Sequence, residues 1–255
     1  MKVVAVTSFK GGTAKTSTTL HVGAALALFH KKRVLLVDFD SQANLTLGLG
    51  FDPDSCDSLA PVFLGEKNVT DILLKTAIPG LDLIPADTWL ERIEVRGPLA
   101  QDRYSHEKLK KILATLSYDY VLIDTPPSLC WLTESALIAA NHSLVCATPE
   151  FFSIKGLERL SQFISTVSER HPLDVLGVVV SFWNARGKSN DAFMKIINRA
   201  FPGKSFESRI RRDVTVSEAA LWGKPLFEIP KLSQKSRAAE DFKLLTEELL
   251  QKVQK

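Results

Sequence analysis

Short runs of β-branched and other apolar residues recur along the chain at residues 3–7, 33–37, 81–84, 120–123, 143–147 and 175–182. They are apolar on both faces, which suits strands buried between two layers rather than strands with one wet side. Helical patterns fill the spaces, near residues 16–30, 105–116, 132–140, 154–169 and 192–200. Strand and helix in alternation predict an α/β fold: a doubly wound, mostly parallel sheet with helices on both faces and ligands at the carboxyl ends of the strands. No internal repeat, low-complexity linker or second domain is apparent, so residues 1–255 are expected to form one domain. Residues 49–103, with Pro53, Pro61, Pro79, Pro85 and Pro98, are expected to be loops and short helices at one sheet edge. In the last segment, 233–255, Phe242, Leu245, Leu249, Leu250 and Val253 fall at helical spacing, the pattern of a terminal helix packed on the sheet.

A chain of 255 residues with 45% hydrophobic content can bury a full core. The formal charge of +3 says little about partners unless it is clustered. Three cysteines, Cys56, Cys130 and Cys146, form no C-x-x-C pair, and reduced thiols in a cytoplasm are expected. The first apolar run is too short for a signal peptide, and none approaches the roughly 20 residues that cross a bilayer.

The first strand runs into Lys10, Gly11, Gly12, Thr13, Ala14, Lys15, Thr16 and Ser17, a candidate nucleotide loop. Against G-x-x-x-x-G-K-[ST] it fails at both glycines, with Phe9 and Ala14 in their places. The physical requirement is a tight turn with inward N–H groups followed by a helix N-terminus, and that requirement is met. Gly11 and Gly12 permit close approach, Lys15 reaches the β- and γ-phosphates, and the Thr16 hydroxyl can ligand Mg²⁺. Ala14 is compatible with the nest if its φ is negative. Two further strands end in acids. Asp124 closes one and can hold a Mg²⁺ water. Asp38 and Asp40 follow the other; Asp40 is expected to orient the attacking water, with Asp38 near the metal shell or capping the loop.

Together these residues resemble the deviant Walker ATPases, most closely the ParA/Soj partition ATPases. The resemblance covers K-G-G-x-x-K-[ST]-[ST] from Lys10 to Ser17, "VDFDSQANLT" from Val37, "YDYVLIDTPPSL" from Tyr118, "ATPEFFSIKGLERL" from Ala147 and "SRIRRDVTVSEAALWGKPLFE" from Ser208. It implies a cytoplasmic, nucleoid-associated, Mg²⁺-dependent ATPase that uses ATP to form a homodimer, binds double-stranded DNA without sequence preference and is stimulated by a ParB-type partner. In that family the extra lysine, here Lys10, touches the nucleotide of the other subunit, so Lys10, Lys15 and Asp40 are the expected catalytic set. Ser41, Ala43 and Ala14 depart from the family pattern. Basic residues gather between Arg186 and Arg212. Arg186 matches a DNA-contacting arginine of the family, whereas Thr215 replaces a second one, and Arg209, Arg211 and Arg212 are expected to compensate. A MinD-like membrane-cycling ATPase is the alternative, but the ending "EELLQKVQK" is short and mixed in charge, and no membrane partner is expected. An iron–sulfur reductase of the superfamily would need two cysteines per subunit at a shared cluster; Cys56 and Cys146 are poorly placed to join Cys130.

Overall fold

The computed structural model describes residues 1–90, 92, 104–149 and 154–254. Pro98, the rest of 93–103, and the "EFFS" of the quoted 147–160 segment lie outside the described residues. Eight strands form one sheet: β1 (Lys2–Thr7), β2 (Val34–Asp38), β3 (Leu74–Lys75), β4 (Leu81–Ile84), β5 (Tyr120–Asp124), β6 (His142–Ala147), β7 (Asp174–Trp183) and β8 (Ser205–Arg211). Their order is β3-β4-β2-β5-β1-β6-β7-β8. All pairings are parallel except that of β3 with β4. The fold is the expected α/β arrangement.

Side-chain alternation divides the core between the two faces of the sheet. On β5, Val121 and Ile123 enter the cluster that contains Leu109, Leu137, Leu160 and Ile197. These residues belong to α4 (Lys108–Ala114), α5 (Trp131–Ala139), α6 (Ile154–Ser168) and α7 (Asn190–Ala200). Tyr120 and Leu122 enter the opposite cluster, with Leu26, Ala219, Leu245 and Leu249. That layer is built by α1 (Lys15–His30), α8 (Val214–Leu221) and α10 (Arg237–Val253). The stripe of α10 is buried as expected: Phe242, Leu245 and Leu249 are 0% exposed, each contributing about 2 kcal/mol of apolar burial. Ser236 accepts from the Ala239 N–H and starts the helix. Among the described residues no helix is long and apolar enough to cross a membrane.

Two elements differ from the sequence reading. β8 is not among the strands the sequence predicts, because only Phe206 and Ile210 of its seven residues are buried and the rest read as a charged surface run. The 105–116 helix is a 3₁₀ turn over Ser105–Glu107 followed by the shorter α4. The irregular 49–90 region contains short α3 (Leu59–Phe63), 3₁₀ turns, β4 and the antiparallel edge strand β3.

Candidate active site

Register brings the acidic strand ends together, since Asp124 stands beside Asp38 on one flank and beside Val6 on the other. Val6 is one residue from the end of β1, so the loop from Ser8 to Ala14 rises next to Asp124. Lys15, 6% exposed, donates from Nζ to Asp124 Oδ1 at 2.7 Å, and the Thr16 hydroxyl donates to Oδ2 at 2.6 Å. Burial opposes the charge on Lys15, and the Asp124 carboxylate more than offsets it, holding the ammonium above the ordinary lysine range. The residues expected to bind phosphate and Mg²⁺ therefore converge on one carboxylate.

The loop backbone is shaped for an anion. Gly12 has φ +75° and Ala14 φ 60°, both left-handed, and Ala14 precedes α1 as its N-cap residue without a side-chain cap hydrogen bond. Uncapped N–H groups at the positive end of a helix are the donors a phosphate needs. Ala14 corrects the expectation of a negative φ: the methyl group is held in a conformation that disfavours it by about 1 kcal/mol. The loop is braced internally, with the Lys10 carbonyl accepting from the Ser8 and Thr13 hydroxyls at 3.0 and 3.4 Å. Phe9 explains why no glycine stands at that position. Its ring lies against Gly156 of α6 so closely that a Cβ there would fall 2.3 Å from it. Lys10, Gly11 and Gly12 are exposed at the mouth of the loop, whereas Thr13 is buried and Ser17 half-buried.

Asp38, which closes β2, and Asp40, just beyond it, do different work. Asp38 is fully buried, and its oxygens accept from the Asp40 N–H (3.3 Å), the Thr46 N–H (2.8 Å) and the Thr46 hydroxyl (2.8 Å). These bonds anchor the loop that leads into α2 (Asn44–Gly48), which is the capping role, one of the two expected for Asp38. Burial, reinforced by Asp124, pushes its carboxyl up to about 7. The Asp40 carboxylate accepts the Gln42 N–H at 3.1 Å, and burial raises its pKa as well. Ala43, where the family pattern has glycine, keeps φ at 52° and so preserves a glycine-like turn. Thr46, which holds Asp38, was not singled out from sequence although it lies inside the quoted motif.

A cavity of about 1010 Å³ opens over Gly12 towards the ends of β7 and β8 and includes Phe182, Trp183, Asn184 and Arg186. Phe182 has φ 54°, an outlier for a bulky residue, at a register shift between β7 and β8. Asn184 organises the following turn, accepting the Arg186 N–H on its side chain (3.1 Å) and the Gly187 N–H on its carbonyl (2.9 Å). Arg186 and Arg212 are exposed, and Arg212 lies 5.8 Å over the Phe182 ring. The other two expected DNA contacts are engaged within the fold. Arg211 forks onto Asp241 of α10, with Nη2–Oδ1 at 2.6 Å, and Arg209 stacks on Trp183 and donates to Ser205. Thr215 is likewise internal, its hydroxyl bonded to Asp213 and Ser236 at 2.8 Å each.

Cys130 Sγ lies 3.8 Å from the Thr133 hydroxyl, and burial drives the Cys146 thiol up to about 12. Among the described residues no three histidine, cysteine or acidic side chains gather into a metal cage. The set fits Mg²⁺ all the same, because this ion keeps several waters and needs only one or two protein oxygens beside phosphate. Thr16 and Asp124 are the residues that would offer those oxygens.

Comparison with known proteins agrees with this fold and with the resemblance carried by the sequence motifs. A family model described as an AAA domain matches residues 1–175. A ParA family protein of Chlamydia muridarum is 66% identical over 252 residues, covering 98% of each chain. The chromosome partitioning protein ParA of Caulobacter vibrioides is 39% identical over 231 residues, 89% of this chain and 86% of its own. Among solved structures, cobyrinic acid a,c-diamide synthase from Mycobacterium smegmatis, with bound ATP analog and magnesium, superposes with a TM-score of 0.75 at 33% identity, covering 92% of this chain and 96% of that one.

Proposed function

The chain belongs to the ParA family, and on that footing we propose that it is a DNA-partition ATPase whose ATP-bound form is a dimer that binds duplex DNA without sequence preference. The observation that carries the reading is the convergence of Lys15 and Thr16 on Asp124 beneath an uncapped, left-handed loop. ATP is the substrate, its phosphates held by the N–H groups of residues 10–17 and by the Lys15 ammonium. Thr16 and Asp124 hold Mg²⁺, which when bound neutralises charge on the phosphates. Asp40 lies within the electrostatic reach of Lys15 and positions water. Lys10 extends from the loop mouth to the phosphates of a second copy, neutralising charge that develops there as an arginine finger does.

Duplex DNA meets the exposed Arg186 and Arg212, whereas Arg209 and Arg211 stiffen the strand that presents them. A ParB-type partner stimulates hydrolysis and releases the dimer. The membrane-cycling alternative is disfavoured by α10, which turns its apolar stripe into the core. Sedimentation of wild-type and Asp40→Ala protein with plasmid DNA tests the reading. Both are expected to pellet with ATP and Mg²⁺ and to stay in solution with ADP; DNA association independent of nucleotide contradicts it.

A further inference from the structure

The end of α8 carries an apolar surface that the fold leaves uncovered. Val216 and Ala219 pack on the core, whereas Val214, Ser217, Glu218 and Leu221, spaced three and four apart, are exposed. Leu221 is 88% and Trp222 73% exposed, and Leu47 of α2 is 50% exposed. Gly223, at φ +59°, closes the helix, and a Cβ there would fall 2.5 Å from Gly50 Cα and 3.4 Å from the Leu47 carbonyl oxygen. Two glycines in backbone contact thus hold the ends of α2 and α8 together, and Leu47 joins Leu221 and Trp222 in one patch. Three large side chains this exposed offer on the order of 400 Å² of apolar surface, the scale at which a patch marks an interaction site.

The charges at the rim of the patch say what covers it. Glu218 and Lys224 are both exposed, stand three positions to either side of Leu221, and make no ion pair among the described residues. A wholly basic or wholly acidic partner would meet one of them and be repelled by the other. A surface carrying the same pair in reverse order meets both, and a second copy of the chain is such a surface. When two α8 helices cross antiparallel with a two-fold axis at Leu221, Glu218 of each copy faces Lys224 of the other. Leu221 and Trp222 of the two copies then cover one another.

We propose that this patch is a two-fold contact between copies of the chain, formed without nucleotide and separate from the pairing through Lys10. Doubling the patch buries about 800 Å² of apolar side chain, near the low end of specific interfaces, so the contact is weak, with a Kd on the order of 10–100 µM. Exposed ion pairs contribute little each, so Glu218 and Lys224 set register and orientation while the apolar side chains supply the attraction. Every substitution acts twice across the axis, because the same patch serves both copies.

The test is sedimentation velocity on the full chain without nucleotide, over about 1–200 µM protein. The weight-average mass is expected to rise with concentration from monomer towards dimer. Leu221→Asp and Glu218→Lys, both at exposed positions, are each expected to weaken the association about tenfold, and Lys224→Glu added to Glu218→Lys is expected to restore it. A wild type that stays monomeric throughout overturns the contact and leaves the patch to a different partner. An association unmoved by Leu221→Asp lies elsewhere on the chain and overturns it too, and a double reversal that fails to restore binding overturns the antiparallel pairing. ATP and Mg²⁺ added to Asp40→Ala protein are expected to give a further step in mass. Absence of that step counts against the function proposed above and leaves the nucleotide-free result to decide this contact.

Discussion

His21 offers a pH test of how the nucleotide-loop helix is held in the fold. It lies on α1, one turn beyond the loop, and is 2% exposed. Its Nδ1 is 2.7 Å from the Ser17 carbonyl and so carries the proton, and its Nε2 accepts the Leu226 N–H at 3.2 Å. Phe242 stacks on the ring at 4.5 Å. A protonated ring would lose the Leu226 bond and place a charge in a buried site, and burial lowers the pKa from 6.5 to about 4. Because the folded pKa is depressed, the unfolded chain binds the proton first, and stability is lost as pH falls from about 6.5 towards 4. The full separation corresponds to about 3 kcal/mol, of which about 2 kcal/mol falls between pH 7 and pH 5. Asp38, raised to about 7 by burial and Asp124, acts with the opposite sign: its stabilising proton is lost as pH rises towards about 7. The raw stability curve therefore mixes both, and the difference between wild type and His21→Gln isolates the histidine. Urea unfolding of both proteins from pH 7.5 to 4.5 is expected to show the wild-type advantage shrinking by about 2 kcal/mol on acidification. A difference that stays constant with pH would refute a buried, neutral His21.

Other perturbations follow from single contacts. Ala14→Gly, at φ 60°, is expected to raise stability by about 1 kcal/mol in thermal unfolding and to tighten ATP binding, since only glycine adopts that turn without strain. Arg186→Ala is expected to weaken duplex binding with ATP and to reduce the log–log salt slope by roughly 0.9, read by anisotropy across a salt series. Arg211→Ala is expected to leave that slope unchanged and instead to lower stability by about 1–2 kcal/mol, because Asp241, 6% exposed, loses its bidentate partner.

What the sequence makes legible is what local spacing dictates. Strands β1, β2, β4, β5, β6 and β7 are apolar on both faces, and they fall within a residue or so of their expected places. The Lys15, Thr16 and Asp124 cluster is legible for the same reason: loop and strand end each carry their chemistry within a few residues, and a parallel sheet sets strand ends side by side. Residues whose roles depend on distant partners are not. Arg211 and Arg209 read as a basic surface until Asp241, thirty positions away, and Trp183 are seen beside them. Thr215 reads as a lost contact, yet its hydroxyl ties α8 to the start of α10 through Asp213 and Ser236. The sign of φ at Ala14 is also invisible in composition, because alanine enters that turn only where the surrounding structure holds it there.

The account turns on ATP lying between two copies of the chain with Lys10 reaching across. Size-exclusion chromatography with light scattering on Asp40→Ala protein, with and without Lys10→Ala, measures this directly in ATP and Mg²⁺. The single variant is expected to run as a dimer and the double variant as an ATP-binding monomer; a double variant that dimerises as fully as the single one contradicts the claim.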